Sequence, residues 1–392
     1  MAPNTAPYAN SEVWKKTHVS VLIGTRPEAI KLAPVIQALQ KDDRCTPKVF
    51  LSGQHTHMCT NALKSFDITD ATPITDEVPA DYSLSGQASH YLNHLGRVLA
   101  GQKTDILLVH GDTTTGFIGA LAAYYNQIPI GHVEAGLRSH DLFNPYPEEA
   151  NRRLIAPLAS LLFAPTPLSQ KNLLQENIAA EKIFVTGNTV VDAVQQLALK
   201  APAIDTIPNY AKIAGKYKRL ILVTCHRREN WGFPMYDICK AVLQIIDQYQ
   251  DVAVVLPVHP NPKVKEVVES VLINHPRVLL TPPLSYGQLI RVLEKAHLTL
   301  TDSGGIQEEA PSLETPVLIL RSVTERPEAV ESGVAKLVGT DRQTIFSATQ
   351  ALLSDSALYS QMASCENPFG DGQASKRITD IIVSWSQKRK DQ

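Results

Sequence analysis

Absences narrow the field before any motif is read. The five cysteines, Cys45, Cys59, Cys225, Cys239 and Cys365, are odd in number and form no C-x-x-C pair, so neither a disulfide framework nor a thiolate zinc site is indicated. A reducing cytosol, and with it a cytoplasmic location, fits best. Net charge is nearly absent: 37 basic against 39 acidic side chains leave −2, which gives no electrostatic case for nucleic acid or an anionic membrane surface. Any anionic ligand needs a locally built site. No apolar run approaches membrane-spanning length. The stretch MAPNTAPYANSEVWKKT, residues 1–17, lacks an apolar core and reads as a frayed tail rather than a signal peptide.

Familiar catalytic and nucleotide fingerprints are missing as well. Gly24-Thr25-Arg26-Pro27-Glu28 puts arginine and proline where G-x-G-x-x-G would place glycines, and no G-x-x-x-x-G-K-[ST] occurs. Tight dinucleotide binding and P-loop ATP hydrolysis are disfavoured. No His, Cys and carboxylate cluster has metal-ligand spacing, and there is no G-x-S-x-G elbow.

What is present is alternation. The 392 residues are 44% hydrophobic, enough for two buried cores. Short apolar runs at Val19 to Gly24, Lys48 to Leu51, Ile106 to Val109, Ile128 to Val133, Leu161 to Ala164 and Ile183 to Val185 are separated by helical patterns. That is the signature of a doubly wound parallel sheet. The pattern lapses over Ala201 to Lys218 and restarts with runs at Leu220, Val252, Val278, Leu298 and Val317. A second doubly wound sheet follows. Ile378, Ile381, Ile382 and Trp385 mark an amphipathic terminal helix.

Candidate chemistry sits at strand ends, where ligands of open parallel sheets bind. His110-Gly111-Asp112 and Glu134-Ala135-Gly136 each follow an apolar run, and Glu148 follows Pro145-Tyr146-Pro147. Capping accounts for Asp112 as well as function does, and dipole pairing accounts for Glu148. Glu134 has no such capping role. Thr301-Asp302-Ser303-Gly304-Gly305 opens a helix from a strand, offering backbone N–H groups to the phosphates of a nucleotide diphosphate, with Glu309 placed for ribose hydroxyls. A plain N-cap at Ser303 explains that turn equally well. His226 lies beside Arg227 and Arg228; Arg26, Lys31 and Arg326 are further cations, and each taken singly reads as surface charge. The surroundings of His259 leave its role open.

Together these residues carry a resemblance. GTRPEAIKLAP, VHGDTTT, GHVEAGLRS, PEEANRR, VTGNTVVDAV, HRREN, PVHPNP, TDSGGIQEEAPSL and TERPEAV, in order from Val19 to Asp371, resemble the motifs of the non-hydrolysing UDP-N-acetylglucosamine 2-epimerases. The resemblance implies two Rossmann-like domains facing across a cleft, of GT-B type. Their expected bounds are 1–17 for the tail, 18–190 for the first domain with helix 372–392 crossing back to it, and 191–371 for the UDP-binding domain. It implies a homodimer, a UDP-sugar substrate, no nucleic-acid or membrane partner, and neither cofactor nor metal. The reaction implied interconverts UDP-GlcNAc and UDP-ManNAc through elimination of UDP to 2-acetamidoglucal and readdition, supplying ManNAc-type sugars for cell-surface polysaccharide. Asp112, Glu134, Glu148 and His226 match the family's catalytic positions. Arg26, Lys31, Ser303, Gly304, Gly305, Glu309 and Arg326 match its nucleotide-contacting ones.

Allosteric or loop positions correspond to Gln54, His55, Gln87 and His259. Thr56, His57 and Gly86 depart from the family pattern there, which argues against activation by a second UDP-GlcNAc. Cys225 replaces the small residue that usually precedes the histidine, which predicts a thiol-sensitive site, and Glu314 stands where glycine usually follows Ser-Leu.

Overall fold

A computed structural model of the chain describes residues 16–390, apart from 54, 76, 78 and 80. Most of the expected tail lies outside the described residues, but Thr17 does not: it is buried as the first residue of a strand. Among the described residues, two wholly parallel sheets account for the strands. The first contains Thr17–Ile23 (β1), Cys45–Leu51 (β2), Ala71–Pro73 (β3), Ile106–His110 (β4), Ile130–Val133 (β5), Leu161–Ala164 (β6) and Ile183–Val185 (β7), in the order β3-β2-β1-β4-β5-β6-β7. The second contains Arg219–Thr224 (β8), Val252–Pro257 (β9), Val278–Thr281 (β10), Leu298–Thr301 (β11), Val317–Ile319 (β12) and Ala335–Leu337 (β13), in the order β10-β9-β8-β11-β12-β13. Each is a doubly wound Rossmann-like sheet, and the pair makes an α/β chain of GT-B type. Among the described residues no helix is long and apolar enough to cross a membrane.

Both strand orders reverse direction once, and those reversals decide where chemistry can sit. In the first sheet the switch lies between β1 and β4, so the loops beginning at Gly24 and Gly111 flank a crevice. In the second it lies between β8 and β11, flanked by the loops beginning at Cys225 and Asp302. β4 is buried along its whole length and β11 likewise, because helices cover both faces of each sheet.

The helix after β1, Arg26–Lys41, shows how local chemistry sets such a loop. Thr25 is its N-cap and Glu28 closes a capping box, accepting from the N–H groups of Gly24 at 3.0 Å and Thr25 at 2.6 Å. Ala29, Leu32, Ala33, Ile36 and Leu39 form the buried stripe expected from their spacing. Helix Thr189–Lys200 runs across the expected division at 190/191, with Val190, Val191, Val194 and Leu197 buried in an apolar cluster that draws on both sheets. The terminal helix Ala374–Lys390 returns to the first sheet. Its Ser375 donates to Asp192 from N at 2.8 Å, and Thr17 Oγ1 donates to Ser386 Oγ at 2.9 Å. Glu314 adopts φ +56, the left-handed conformation that glycine occupies without a steric cost.

Candidate active site

The site is built outward from Glu134. This residue leaves the buried end of β5 with φ +63, a left-handed turn imposed by what comes next. Gly136 follows with φ +92, and a Cβ there would lie 2.3 Å from the carbonyl oxygen of Ser169, so only glycine lets the loop pass that helix. The turn directs the Glu134 carboxylate onto Lys31 Nζ, and Asn188 Nδ2 donates to the same oxygen at 3.0 Å. Nε2 of His110 lies 3.8 Å from it.

Lys31 is the hinge of the arrangement. Besides Glu134, its ammonium donates to Glu308 Oε2 at 2.9 Å, and Glu308 in turn accepts from Arg326 Nε at 2.8 Å through its other oxygen. Two carboxylates and two cations thus alternate across the two sheets, all of them buried or nearly so. Burial alone would raise the Glu134 pKa; the Lys31 charge overrides it and holds the carboxyl below its ordinary range, so Glu134 is ionised.

The Ser303-Gly304-Gly305 turn opens helix Gly304–Glu309 after β11, as the sequence predicts. Arg326 lies against Gly304, where a Cβ would meet Nη1 at 2.8 Å, so this glycine admits the guanidinium to the turn. Glu309 is buried and accepts from Tyr286 Oη at 3.1 Å. Burial pushes its carboxyl up to about 7, with Glu308 adding and Tyr286, Lys31 and Arg26 opposing. Arg26 stands at the start of helix Arg26–Lys41. A second bridge between the halves runs from Thr166 Oγ1 to Glu328 Oε1 at 2.8 Å. Close by, a cavity of about 340 Å³ separates the loop containing Arg138 and His140 from Arg321 and Glu325.

Asp112 lies in the loop after β4, paired with Arg152, whose Nη1 also donates to buried Glu149 at 3.1 Å. Glu148 begins helix Glu148–Leu158, and its carboxylate has no hydrogen-bond or ion-pair partner among the described residues. It is half-buried, which leaves its carboxylate available to a ligand. His226 follows β8; its side chain is 45% exposed, its Nδ1 lies 3.0 Å from Asp302 Oδ1, and His259 stacks over it at 6.2 Å between ring centroids.

The loop positions fare differently. Gln54 lies outside the described residues. His55 stands at the N-cap position of helix Thr56–Lys64 without a side-chain capping bond, and Gln87 donates to Tyr82 O at 2.8 Å. Of this set, His259 is the one in ring contact with His226. At Gly86 a Cβ would approach Asp81 O to 2.5 Å, so a larger residue there requires a different course for the loop.

The expected thiol sensitivity does not follow from the structure. Cys225 is buried, its Sγ donates to Asp302 Oδ2 at 3.1 Å, and burial with the adjacent carboxylate raises its pKa well above the ordinary thiol value. A thiolate is the nucleophile, so this cysteine is inert. Iodoacetamide applied to the folded protein at pH 7.5 is expected to leave Cys225 unmodified by peptide mass analysis; rapid labelling with loss of activity would contradict this.

His132 supports the Asp112 loop from below, its Nε2 2.8 Å from Gly111 O, where φ is +61. Burial lowers its pKa to about 3 from 6.5. Protons therefore bind the unfolded state more readily over that interval, so its stability contribution is complete above pH 6.5 and is lost as pH falls toward 3. Relative to wild type, His132→Asn is expected to show a shallower loss of urea midpoint between pH 7.5 and 4.5. Parallel slopes would refute this.

Glu308, Asp302, Asn188 and Arg152 were not singled out by sequence reasoning as site residues. All four lie inside quoted motifs, QEEA, TDSGG, GNTV and EEANRR, which is the signal that marks them. Among the described residues no group of three or more His, Cys, Asp or Glu side chains is placed to hold a metal ion.

Comparison with known proteins adds the following. Residues 37–383 match a family model described as UDP-N-acetylglucosamine 2-epimerase. A UDP-N-acetylglucosamine 2-epimerase of Escherichia coli O157:H7 is 45% identical over 370 residues, covering 93% of this chain and 98% of the relative. The crystal structure of UDP-GlcNAc 2-epimerase from Neisseria meningitidis bound to UDP-GlcNAc superposes with a TM-score of 0.85 at 43% identity, over 94% of this chain and 100% of that one. The enzyme from Methanocaldococcus jannaschii, in complex with UDP-GlcNAc and UDP, is 34% identical with a TM-score of 0.75, over 94% and 100%.

Proposed function

Because the chain belongs to the UDP-N-acetylglucosamine 2-epimerase family, we propose that it interconverts UDP-GlcNAc and UDP-ManNAc without net hydrolysis, using Asp112, Glu134, Glu148 and His226 as its catalytic groups. The observation that carries this reading is the meeting of Glu134 and the Ser-Gly-Gly turn through Lys31, Glu308 and Arg326. It supports the reading because a carboxylate suited to the sugar and cations suited to the diphosphate belong to one connected cluster. A transferase needs the second and has less use for the first.

The proton on sugar carbon 2 is not beside a carbonyl, so a carboxylate cannot remove it directly at a useful rate. Loss of UDP from carbon 1 first gives an oxocarbenium-like sugar in which that proton is acidic. Its removal leaves 2-acetamidoglucal, and readdition of UDP with protonation on the other face inverts the centre. Lys31, Arg26, Arg326 and the N–H groups of Ser303, Gly304 and Gly305 suit the departing diphosphate. The ionised Glu134 suits a proton acceptor. Contacts across the two sheets at Lys31 and Thr166 favour a closed site, where the glucal stays bound.

The test is proton NMR of the purified protein with UDP-GlcNAc in deuterated water, without added cofactor and with or without a trace of UDP-ManNAc. UDP-ManNAc carrying deuterium at carbon 2 is the expected product. Free ManNAc with UDP would mean a hydrolysing enzyme, and an unchanged spectrum would move the search to a modified UDP-sugar such as the 2,3-diacetamido-uronate.

A further inference from the structure

We propose that Asp302 is a positioning residue for this reaction: it fixes the His226 ring with Nδ1 as the hydrogen-bond donor, leaving Nε2 as the nitrogen available to the substrate. The proposal rests on the reading that places His226 in the reaction.

Asp302 directly follows β11 beside β8, with Thr301 in register with Thr224, so its side chain meets the loop that β8 delivers. It is 0% exposed. One oxygen, Oδ2, accepts from His226 N and Arg227 N at 2.9 Å each, Asn230 Nδ2 at 3.0 Å and Cys225 Sγ at 3.1 Å. Those four donors all come from residues 225–230 and tie down the loop. They account for one oxygen. The other, Oδ1, is buried without an aligned hydrogen bond, and Nδ1 of His226 lies 3.0 Å from it.

A buried carboxylate oxygen left without a partner is costly, and a small turn of the half-exposed His226 ring supplies the donor it lacks. A carboxylate is an acceptor only, so the nitrogen facing it must carry the hydrogen, and the neutral imidazole is thereby held with Nε2 unprotonated. The same anion stabilises the imidazolium once Nε2 has taken a proton. This is the logic by which a buried carboxylate orients a catalytic histidine in unrelated enzymes. His259, stacked over the ring, and Trp231, donating from Nε1 to His226 O at 3.2 Å, restrict the remaining freedom.

Asp302→Asn preserves shape and can keep the four donors on its amide oxygen. Its NH2 would then face Nδ1 and favour the opposite tautomer. The expected result is a kcat lower by ~100- to 1,000-fold, smaller than or similar to the loss when a triad carboxylate is amidated. KM for UDP-GlcNAc should stay within about threefold, because the diphosphate contacts are untouched. Long-range proton–nitrogen correlation on ring-labelled histidine, assigned with His226→Ala, should show the hydrogen on Nδ1 in the wild type and on Nε2 in the variant.

A wild-type His226 with its hydrogen on Nε2 would overturn the proposal whether or not the variant folds. So would an Asp302→Asn enzyme with near-normal kcat beside an inactive His226→Ala enzyme, while the functional reading would survive. Full turnover by His226→Ala would remove the histidine from the reaction and take the positioning role with it.

Discussion

Glu134→Gln is expected to lower kcat by a factor of ~100 to 10,000, the range spanned by a positioned acid or base. The amide is nearly isosteric and can still reach Lys31 through its oxygen, so circular dichroism should change little, while loss of one charge from the buried set lowers the unfolding midpoint. What it cannot do is take a proton. Glu134 can, since Lys31 keeps it ionised inside a site whose burial alone would neutralise it. Single-turnover assays with UDP-GlcNAc, alongside binding of UDP, separate the outcomes. Lost chemistry with retained UDP binding fits a reacting group, whereas turnover near that of wild type would remove Glu134 from the mechanism.

Lys31→Met should have the largest effect on stability. The methionine fills the aliphatic path but leaves Glu134 without its cation and Glu308 with Arg326 alone. Removing one member of a buried charge set costs about 3–5 kcal/mol, because the remaining charges stay buried without compensation. The effect has a pH signature. The Glu134 carboxyl is held below its unfolded value of 4.5, so its contribution is present above that pH and is lost as pH falls below it. The gap between wild-type and Lys31→Met urea midpoints should therefore be widest near pH 7 and narrow below pH 4.5. A gap that stays constant with pH would mean that the cost is packing rather than charge. UDP binding should weaken in the same variant, since an ammonium within reach of both halves is lost.

The two experiments divide what the chain does into local and non-local parts, and the sequence divides in the same way. Most strands of both sheets were legible because each is a short apolar run followed by turn chemistry, and strands buried on both faces need no finer pattern. The first turn of helix Arg26–Lys41 was legible for a similar reason: proline and a first-turn glutamate report a helix start within four residues. β3 and β13, three residues each at sheet edges, were not, since Ala71-Thr72-Pro73 and Ala335-Lys336-Leu337 carry no run or alternation. The start of helix Leu84–Ala100 is not legible between Ser83 and Ser89, where several serines can cap; the structure selects Ser83, which accepts from Gly86 N at 3.1 Å.

The reactive side chains could be named from motifs, but their electrostatic state could not. Glu134 reads in the sequence as a carboxylate after a strand; its ionisation depends on Lys31, which is 103 residues away. Lys31 reads as surface charge on a helix and is in fact buried between two acids, the second of them 277 residues distant. Cys225 reads as a reactive thiol beside the histidine and is closed off by Asp302, 77 residues on. Sequence by itself determined the elements, their alternation and the loops that carry chemistry, because propensity, capping and hydrophobic period act over a few residues. Only the tertiary structure decided which charges meet, because the pairing depends on the switch points of two sheets being brought face to face, and burial there sets both the pKa values and the cost of breaking a pair.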